Sequence, residues 1–131
     1  MKRADALLKL RPEIHQSRTD GLMSPEEFFQ NDTLRPILKL QNELLLGLFN
    51  AYIARHKGVF NDLTIGHKMN YIDGALQKDI ALKNVLKGVV IGQMTLDELE
   101  VYGLDSGAYN RRIIGMIKER LKSQIQLLGQ G

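Results

Sequence analysis

The run from Thr33 to Lys57 constrains the fold more than any other part of the sequence, because its spacing predicts one long helix. Asp32 or Thr33 has a side chain that can cap its start, and Gly58 can end it. The middle of this helix, LLLGLFNAYIA at residues 44–54, is apolar on nearly every side. Such a helix is either the central element of a helical bundle or part of an oligomer interface, and the sequence leaves both open.

Two later stretches also have helical spacing. The first begins near Thr64 and continues through GVVIG at residues 88–92, where β-branched residues between glycines also allow an extended strand. We expect helix there, because the sequence offers no second strand to pair with it. The second stretch follows Asp105 or Ser106 and carries a continuous apolar stripe: Ile113, Ile117, Leu121, Ile125 and Leu128.

These elements predict an all-α fold, a compact bundle of three long helices plus short N-terminal and connecting helices. We expect a single domain, 1–131, in which residues 1–32 form a loosely organised arm on the bundle 33–128. This arm should pack on the bundle through Phe28 and Phe29. Two short helices should each begin with a capping box, one formed by Ser24 and Glu27 and the other by Thr95 and Glu98.

Glycines inside the predicted helices give a further expectation about packing. Each costs a helix about 1 kcal/mol relative to alanine, and a close helix crossing that excludes a Cβ often offsets that cost. We therefore expect tight crossings at five positions: Gly47, Gly74, Gly88, Gly92 and Gly115.

Composition excludes several classes of protein. The 131 residues include no cysteine, so disulfides and thiolate chemistry are excluded. Asp5 and Lys9 interrupt any signal-peptide core, and the apolar run 44–54 is about half as long as a bilayer span requires. We therefore expect a cytoplasmic protein without membrane partners. The net charge is +3, but five basic residues follow Gly107 against the single acid Glu119, so the last helix is basic.

The segment 95–117, TLDELEVYGLDSGAYNRRIIGMI, resembles a DNA-binding helix-turn-helix in its second half. Gly103 would be the turn glycine and Leu104 the buried turn residue. The residues on the recognition face, of the types that read guanine and adenine edges, would be Asn110, Arg111 and Arg112. The first half departs from the motif. Glu100 stands where a small residue is usual, and the spacing from Leu99 to the glycine is one residue short.

Histidines on both sides of the 58–64 loop suggest a second kind of site. A helical hairpin could bring His56, His67 and Asp62 together, and such a set can bind zinc or iron. The same corner could instead form a small-molecule pocket lined by His56, His67, Tyr52 and Tyr71. The sequence contains no phosphate-binding glycine loop, no serine-hydrolase elbow and no di-iron or His-Glu-x-x-His motif, so it predicts no cofactor and no catalytic residue.

Three segments resemble a group of small all-helical bacterial proteins whose activity is not characterised: TLRPILKLQNELL (33–45), LKGVVIGQMT (86–95) and YNRRIIGMIKERLKSQIQLL (109–128). The resemblance covers about residues 24–128 and rests on overall pattern, so it implies a helical fold and no activity. Members of the group sometimes carry the label glyoxalase. Glyoxalase I enzymes, however, resemble paired βαβββ modules with His and Glu metal ligands on strands, and no such module is predicted here.

Three functional hypotheses follow. The first is a non-catalytic interaction or regulatory domain that self-associates, as a homodimer, or binds another protein. Its interface candidates lie on the apolar helix: Leu45, Leu46, Phe49 and Ile53. The second is a nucleic-acid-binding protein that uses residues 95–117. The third is a small-molecule or metal-binding protein that uses the corner between His56 and His67.

Overall fold

Helix formation accounts for all regular secondary structure in the part of the chain that the computed structural model describes, residues 2–13 and 23–129. The α-helices are α1 (Arg3–Leu10), α2 (Pro25–Phe29), α3 (Arg35–Leu40), α4 (Asn42–Arg55), α5 (Ile65–Lys78), α6 (Ile80–Ile91), α7 (Leu96–Leu104) and α8 (Ser106–Ser123). A π-helical turn, Gln30–Leu34, joins α2 to α3, and two 3₁₀ turns lie at Val59–Asp62 and Ile125–Leu127. Part of the predicted arm, residues 14–22, lies outside the described ranges.

Side-chain caps define where several helices begin. In both predicted capping boxes the Ser or Thr hydroxyl accepts the backbone N–H of the glutamate, whose carboxylate accepts the backbone N–H of the cap residue. These boxes, Ser24 with Glu27 and Thr95 with Glu98, are confirmed. Thr64 and Asp105 cap α5 and α8 in the simpler way, by accepting a single backbone N–H.

The prediction of one helix over 33–57 is wrong. The chain stays helical from Pro25 through the π-helical turn into α3, so Asp32 and Thr33 lie inside a helical segment and cap nothing. The break comes at Gln41, where φ is −91° and ψ is 6°, and α4 begins there. The helix ends slightly before the predicted position, at Arg55, and the chain then turns through Lys57 and Gly58, whose φ values of +63° and +65° are both left-handed.

The predicted helix that begins near Thr64 is also divided. Asp79 has extended backbone angles, and its carboxylate accepts the Leu82 N–H at 3.0 Å, so Asp79 starts α6 instead of continuing α5. The GVVIG segment is helical as expected, since α6 runs to Ile91. The all-α fold is confirmed for the described residues. The expected arrangement of three long helices is not, because its first two helices are each interrupted.

The apolar core lies among α4, α5, α6 and α8, and α8 contacts the other three helices. Every one of these helices contributes fully buried side chains, and the 3₁₀ turn after Gly58 adds another. The largest of them are Phe49, Phe60, Ile72, Leu86, Ile113 and Ile117. The predicted stripe of the last helix faces this core, although α8 itself ends at Ser123 and the chain continues in a 3₁₀ turn. None of the described helices has both the length and the apolar character that crossing a membrane requires.

Helix α1 and Arg11, which directly follows it, are attached by charged hydrogen bonds to the loop between α6 and α7 and to the first turn of α7. Arg3 donates to the backbone oxygens of Met94 and Gly92 at 2.8 and 3.0 Å. Arg11 donates to both carboxylate oxygens of Glu98 at 2.6 Å. The predicted contact through two phenylalanines is half right: Phe29 packs on the Tyr109 ring at 4.8 Å, whereas Phe28 is 50% exposed.

The expected tight helix crossings at glycines are wrong. A Cβ added at any of four of these glycines would meet no neighbouring atom within 4 Å: Gly47, Gly74, Gly88 and Gly115. A Cβ at Gly92 would approach only the Gly88 carbonyl oxygen, at 3.0 Å, within the same turn. None of these five glycines marks a close crossing of the described helices, and the cost of these residues to helix stability is not offset by packing against a neighbouring helix.

Candidate functional site

The predicted interface residues lie inside the protein. Leu45, Phe49 and Ile53 are 1%, 0% and 2% exposed, and only Leu46 is half-buried. The interface assignment of these three is therefore wrong, because the packing of α4 against α6 and α8 already covers them. The opposite side of α4 is open, and it includes Leu44, which is 50% exposed.

The predicted metal site does not form. Within the described ranges, no group of three or more His, Asp or Glu residues is placed to hold a metal ion. The Nδ1 atom of His56 lies 2.8 Å from the Tyr52 carbonyl oxygen, and the His56 and Tyr52 rings contact each other with centroids 4.2 Å apart and planes tilted by 34°. His67 and Asp62 are both exposed, on the helix and the turn that follow. The rings of α4 and α5 pack against each other, but the two histidines and Asp62 do not form a group that could hold a metal ion.

The helix-turn-helix geometry is absent from the segment 95–117. A single residue, Asp105, joins α7 to α8, so the usual turn of three or four residues does not exist. Leu104, expected to be buried in the turn, is 85% exposed, and Gly103 lies inside α7. Glu100 is exposed as well. The predicted turn at Gly103 is wrong, because the helix continues through Gly103 to Leu104.

Basic side chains nevertheless line two grooves, one on each side of α8. The lysine groove, about 290 Å³, lies between α6 and α8. Its polar lining combines four cations with one amide: Lys83, Lys87, Asn110, Arg111 and Lys118. The two ion pairs of the described ranges are Arg11–Glu98 and Lys122–Asp73, so none of these four cations has a carboxylate partner there. The Asn110 oxygen accepts a hydrogen bond from the Tyr102 hydroxyl.

The arginine groove, about 750 Å³, lies on the other side of α8 and is lined by Arg35, Arg112 and Arg120 with Glu119. These arginines bond to amides: Arg112 donates to the Gln30 side-chain oxygen at 2.7 Å, and Arg120 donates to the Asn42 oxygen at 3.3 Å. Burial, and then the positive charge of Arg35, lower the pKa of Arg120. Gly115 lines both grooves.

The three predicted nucleic-acid residues are thus divided between two surfaces. Asn110 and Arg111 line the lysine groove, whereas Arg112 lines the arginine groove. The sequence reasoning missed Lys83 and Lys87, which stand four residues apart on α6. Their spacing places both lysines on one side of that helix, a signal that the sequence does contain, but nothing local indicates that this side faces α8.

A third feature is a pocket of about 970 Å³ at the corner where α4 and α5 end and α6 begins. We call it the tyrosine pocket. Three of the four residues predicted to line a small-molecule site do so: Tyr52, His56 and Tyr71. His67 does not. Arg55, Lys57 and Lys78 add positive charge to the lining.

Comparison with known proteins adds no further identification, because neither the protein-family models, nor the curated proteins, nor the solved structures include a match to this chain.

Proposed function

We propose that this protein binds nucleic acid through the phosphate backbone, using the lysine groove and the arginine groove on the two sides of α8. The observation that carries this proposal is the set of four cations in the lysine groove, none of which forms an ion pair with a described residue. Charges that are not neutralised within the protein are free to replace the counterions of a polyanion.

The two grooves offer complementary kinds of phosphate contact. Lysine ammonium groups act as mobile point charges, whereas a guanidinium presents a planar set of donors to phosphate oxygens. Gly115 separates the grooves and is exposed, and no atom lies within 4 Å of the position that its Cβ would occupy. A phosphate backbone can therefore approach α8 closely at the position that both grooves share.

This surface is better suited to contacts with the phosphate backbone of a nucleic acid than to sequence-specific contacts with its bases. A bidentate contact of asparagine to adenine needs the side-chain oxygen, but the oxygen of Asn110 already accepts the Tyr102 hydroxyl. Arg112 is likewise held by Gln30. Of the three predicted recognition residues, Arg111 alone is exposed, and it forms no hydrogen bond or ion pair with a described residue. We therefore expect binding with little sequence preference.

Fluorescence anisotropy with a short labelled DNA duplex of mixed sequence, measured over a range of salt concentrations, tests the proposal. If all four cations of the lysine groove contact phosphates, they should together contribute about −3.6 to the slope of log K against log salt, and contacts in the arginine groove should make that slope steeper. The double variant Lys87→Gln/Lys118→Gln should reduce that slope by about 1.8 units. The absence of any binding at low salt would refute the proposal.

A matched control separates groove contacts from net charge. Lys9→Gln/Lys78→Gln removes the same charge from exposed positions outside both grooves. This variant should keep the wild-type salt slope. An equal loss of slope in both double variants would mean that the protein attracts DNA through its overall charge, without a binding surface on α8.

A second candidate function, self-association, is favoured by apolar side chains on the open side of α4. Leu44 and Val85 are each 50% exposed, and Leu48 and Val85 line the same groove of about 410 Å³ between α4 and α6. The predicted homodimer would then use this neighbouring surface in place of the buried Leu45, Phe49 and Ile53. Exposed apolar side chains that adjoin one another are typical of protein–protein contacts.

Light scattering behind size exclusion, at low and at high salt, tests this second candidate. A dimer built on apolar contact should persist at high salt, and Leu44→Glu/Val85→Glu should convert it to a monomer. Leu96→Glu/Leu104→Glu is the control, because these leucines are exposed on α7, on another part of the surface. A wild-type monomer at all protein concentrations would exclude self-association.

A further inference from the structure

The tyrosine pocket is lined by two aromatic rings whose hydroxyl groups are available as hydrogen-bond donors. The Tyr52 and Tyr71 rings meet edge to face with their centroids 6.2 Å apart, and both line the pocket. Neither hydroxyl forms a hydrogen bond with any described residue, although Tyr52 is only 8% exposed. Burial raises the pKa of Tyr52, as does the charge of Asp79, and burial likewise raises the pKa of Tyr71. Both phenols are therefore protonated at neutral pH and can donate to a ligand.

The rim of the same pocket is positively charged. Arg55, Lys57 and Lys78 are all exposed, and none of them forms an ion pair within the part of the chain that the structure describes. The Arg55 guanidinium carbon lies 5.9 Å from the centre of the Tyr52 ring. The pocket has one acidic lining residue, Asp79, whose carboxylate is engaged with the Leu82 N–H. A bound group would therefore meet an excess of positive charge above an aromatic surface.

Gly74 leaves open space at the wall of the pocket. It lies inside α5 and lines the pocket, and a Cβ at this position would meet no atom within 4 Å. Glycine destabilises a helix interior relative to alanine, and no described residue lies close enough to Gly74 to require its small size. A ligand seated between Tyr71 and the pocket opening would require it.

We propose that the tyrosine pocket binds a small aromatic carboxylate, whose ring packs on Tyr52 and Tyr71 and whose carboxylate is held by the Arg55, Lys57 and Lys78 rim. The volume of about 970 Å³ lies within the range of small-molecule sites. Aromatic rings favour offset or edge-to-face contact with an aromatic ligand, and a carboxylate accepts from cations and phenols alike. The site shares no lining residue with the lysine and arginine grooves, so it is independent of nucleic-acid binding.

Protein-observed NMR titration tests the site with two matched probes, 2-naphthoate and its uncharged analogue 2-naphthamide. Naphthoate should shift the amide signals of residues 52–59 and 71–80, and it should bind about tenfold more tightly than naphthamide. Arg55→Gln/Lys78→Gln should abolish that preference and leave the affinity for naphthamide unchanged. Equal affinities in the wild type, or shifts confined to other parts of the chain, would overturn the proposal.

A second variant tests the location without removing any charge. Gly74→Leu should fill the pocket and weaken naphthoate binding at least about tenfold. Because the added Cβ meets no atom within 4 Å and leucine favours the helix over glycine, the temperature midpoint of unfolding should not fall, which separates a blocked site from a misfolded protein. Gly66→Leu makes the same change on α5 at a glycine that does not line the pocket, and it should leave the affinity unchanged. Undiminished binding by the folded Gly74→Leu variant would refute this site.

Discussion

Helices α4 and α7 are held in place by different forces. Helix α4 buries Leu45, Phe49, Tyr52 and Ile53 in the core. Helix α7 has no buried residue of its own, and its Leu96 and Leu104 are 73% and 85% exposed. What fixes the start of α7 is Glu98, which closes the capping box and accepts two hydrogen bonds from Arg11.

The comparison indicates two levels of stability within one chain. Apolar burial is non-directional and insensitive to pH, whereas the attachment of α1 and α7 depends on directional hydrogen bonds, of which those between Arg11 and Glu98 require the charge of one carboxylate. We therefore expect α1 and α7 to open locally while α4, α5, α6 and α8 remain folded. The following predictions test that separation, from the largest effect to the smallest.

Truncating the centre of the core should have the largest effect. Phe49→Ala removes a fully buried ring that contacts the rings of Tyr52, Phe60 and Tyr71. It should lower the free energy of unfolding by about 4 kcal/mol, as measured by denaturant titration. Leu104→Ala on α7 should change it by less than about 0.5 kcal/mol. A comparable loss in both variants would contradict the distinction between the two helices.

Removing the negative charge of Glu98 should weaken the attachment of α1 and α7 to the rest of the protein. Glu98→Gln leaves Arg11, whose side chain is 7% exposed, without a counter-charge, at a local cost of about 2 kcal/mol. Hydrogen exchange should become faster at residues 3–10 and 96–104 and stay unchanged in α5. Glu100→Gln, at an exposed position on the same helix, is the control and should alter neither region.

Lowering the pH should reproduce the effect of Glu98→Gln. Burial alone would raise the pKa of Glu98, but hydrogen bonds from Arg11 and from the Thr95 N–H outweigh it and lower the pKa below the ordinary 4.5. A lowered folded-state pKa means that the stabilisation is complete above the unfolded-state pKa and is lost as pH falls through the folded-state value. The protection of the amides at 96–104, measured as the exchange rate relative to the intrinsic rate at each pH, should therefore fall in acid, and Glu98→Gln should remove this pH dependence.

Replacing exposed glycines within helices by alanine should have the smallest effect on stability. Gly88→Ala in α6 and Gly103→Ala in α7 both place a methyl group where no atom lies within 4 Å. Each should stabilise its helix by up to about 1 kcal/mol. Gly88→Ala should raise the free energy of global unfolding, whereas Gly103→Ala should slow hydrogen exchange only within α7. A global gain from Gly103→Ala would show that α7 unfolds together with the core.

The features that the sequence predicted correctly are those with a local cause. The two capping boxes depend on residues three apart, and Gly58 ends its helix through its own backbone freedom. The signal at Asp79 was also local: an aspartate that can accept the N–H of Leu82 is a cap, and recognising it would have divided α5 from α6. Gln41 carries no comparable signal, so the break before α4 could not be read from its side chain.

The predictions that were wrong concern which parts of the chain contact one another in the folded protein. An apolar stripe that includes Leu45 and Phe49 has the same spacing whether a neighbouring helix or a second protein covers it, so core and interface could not be distinguished. Arg11 and Glu98 are 87 residues apart, and their ion pair leaves no periodic pattern. The lysine groove was missed for the same reason, because its cations come from two helices that only the fold brings together.

The attachment of α1 also affects the order in which the chain can fold. Arg3 and Arg11 bind groups between Gly92 and Glu98, so their partners do not exist until the chain has been synthesised through α7. Contacts so distant in sequence carry a large cost in loop entropy and form after local ones. During synthesis, α4, α5 and α6 can therefore assemble while α1 is still free, and the N-terminal helix is among the last elements to reach its place.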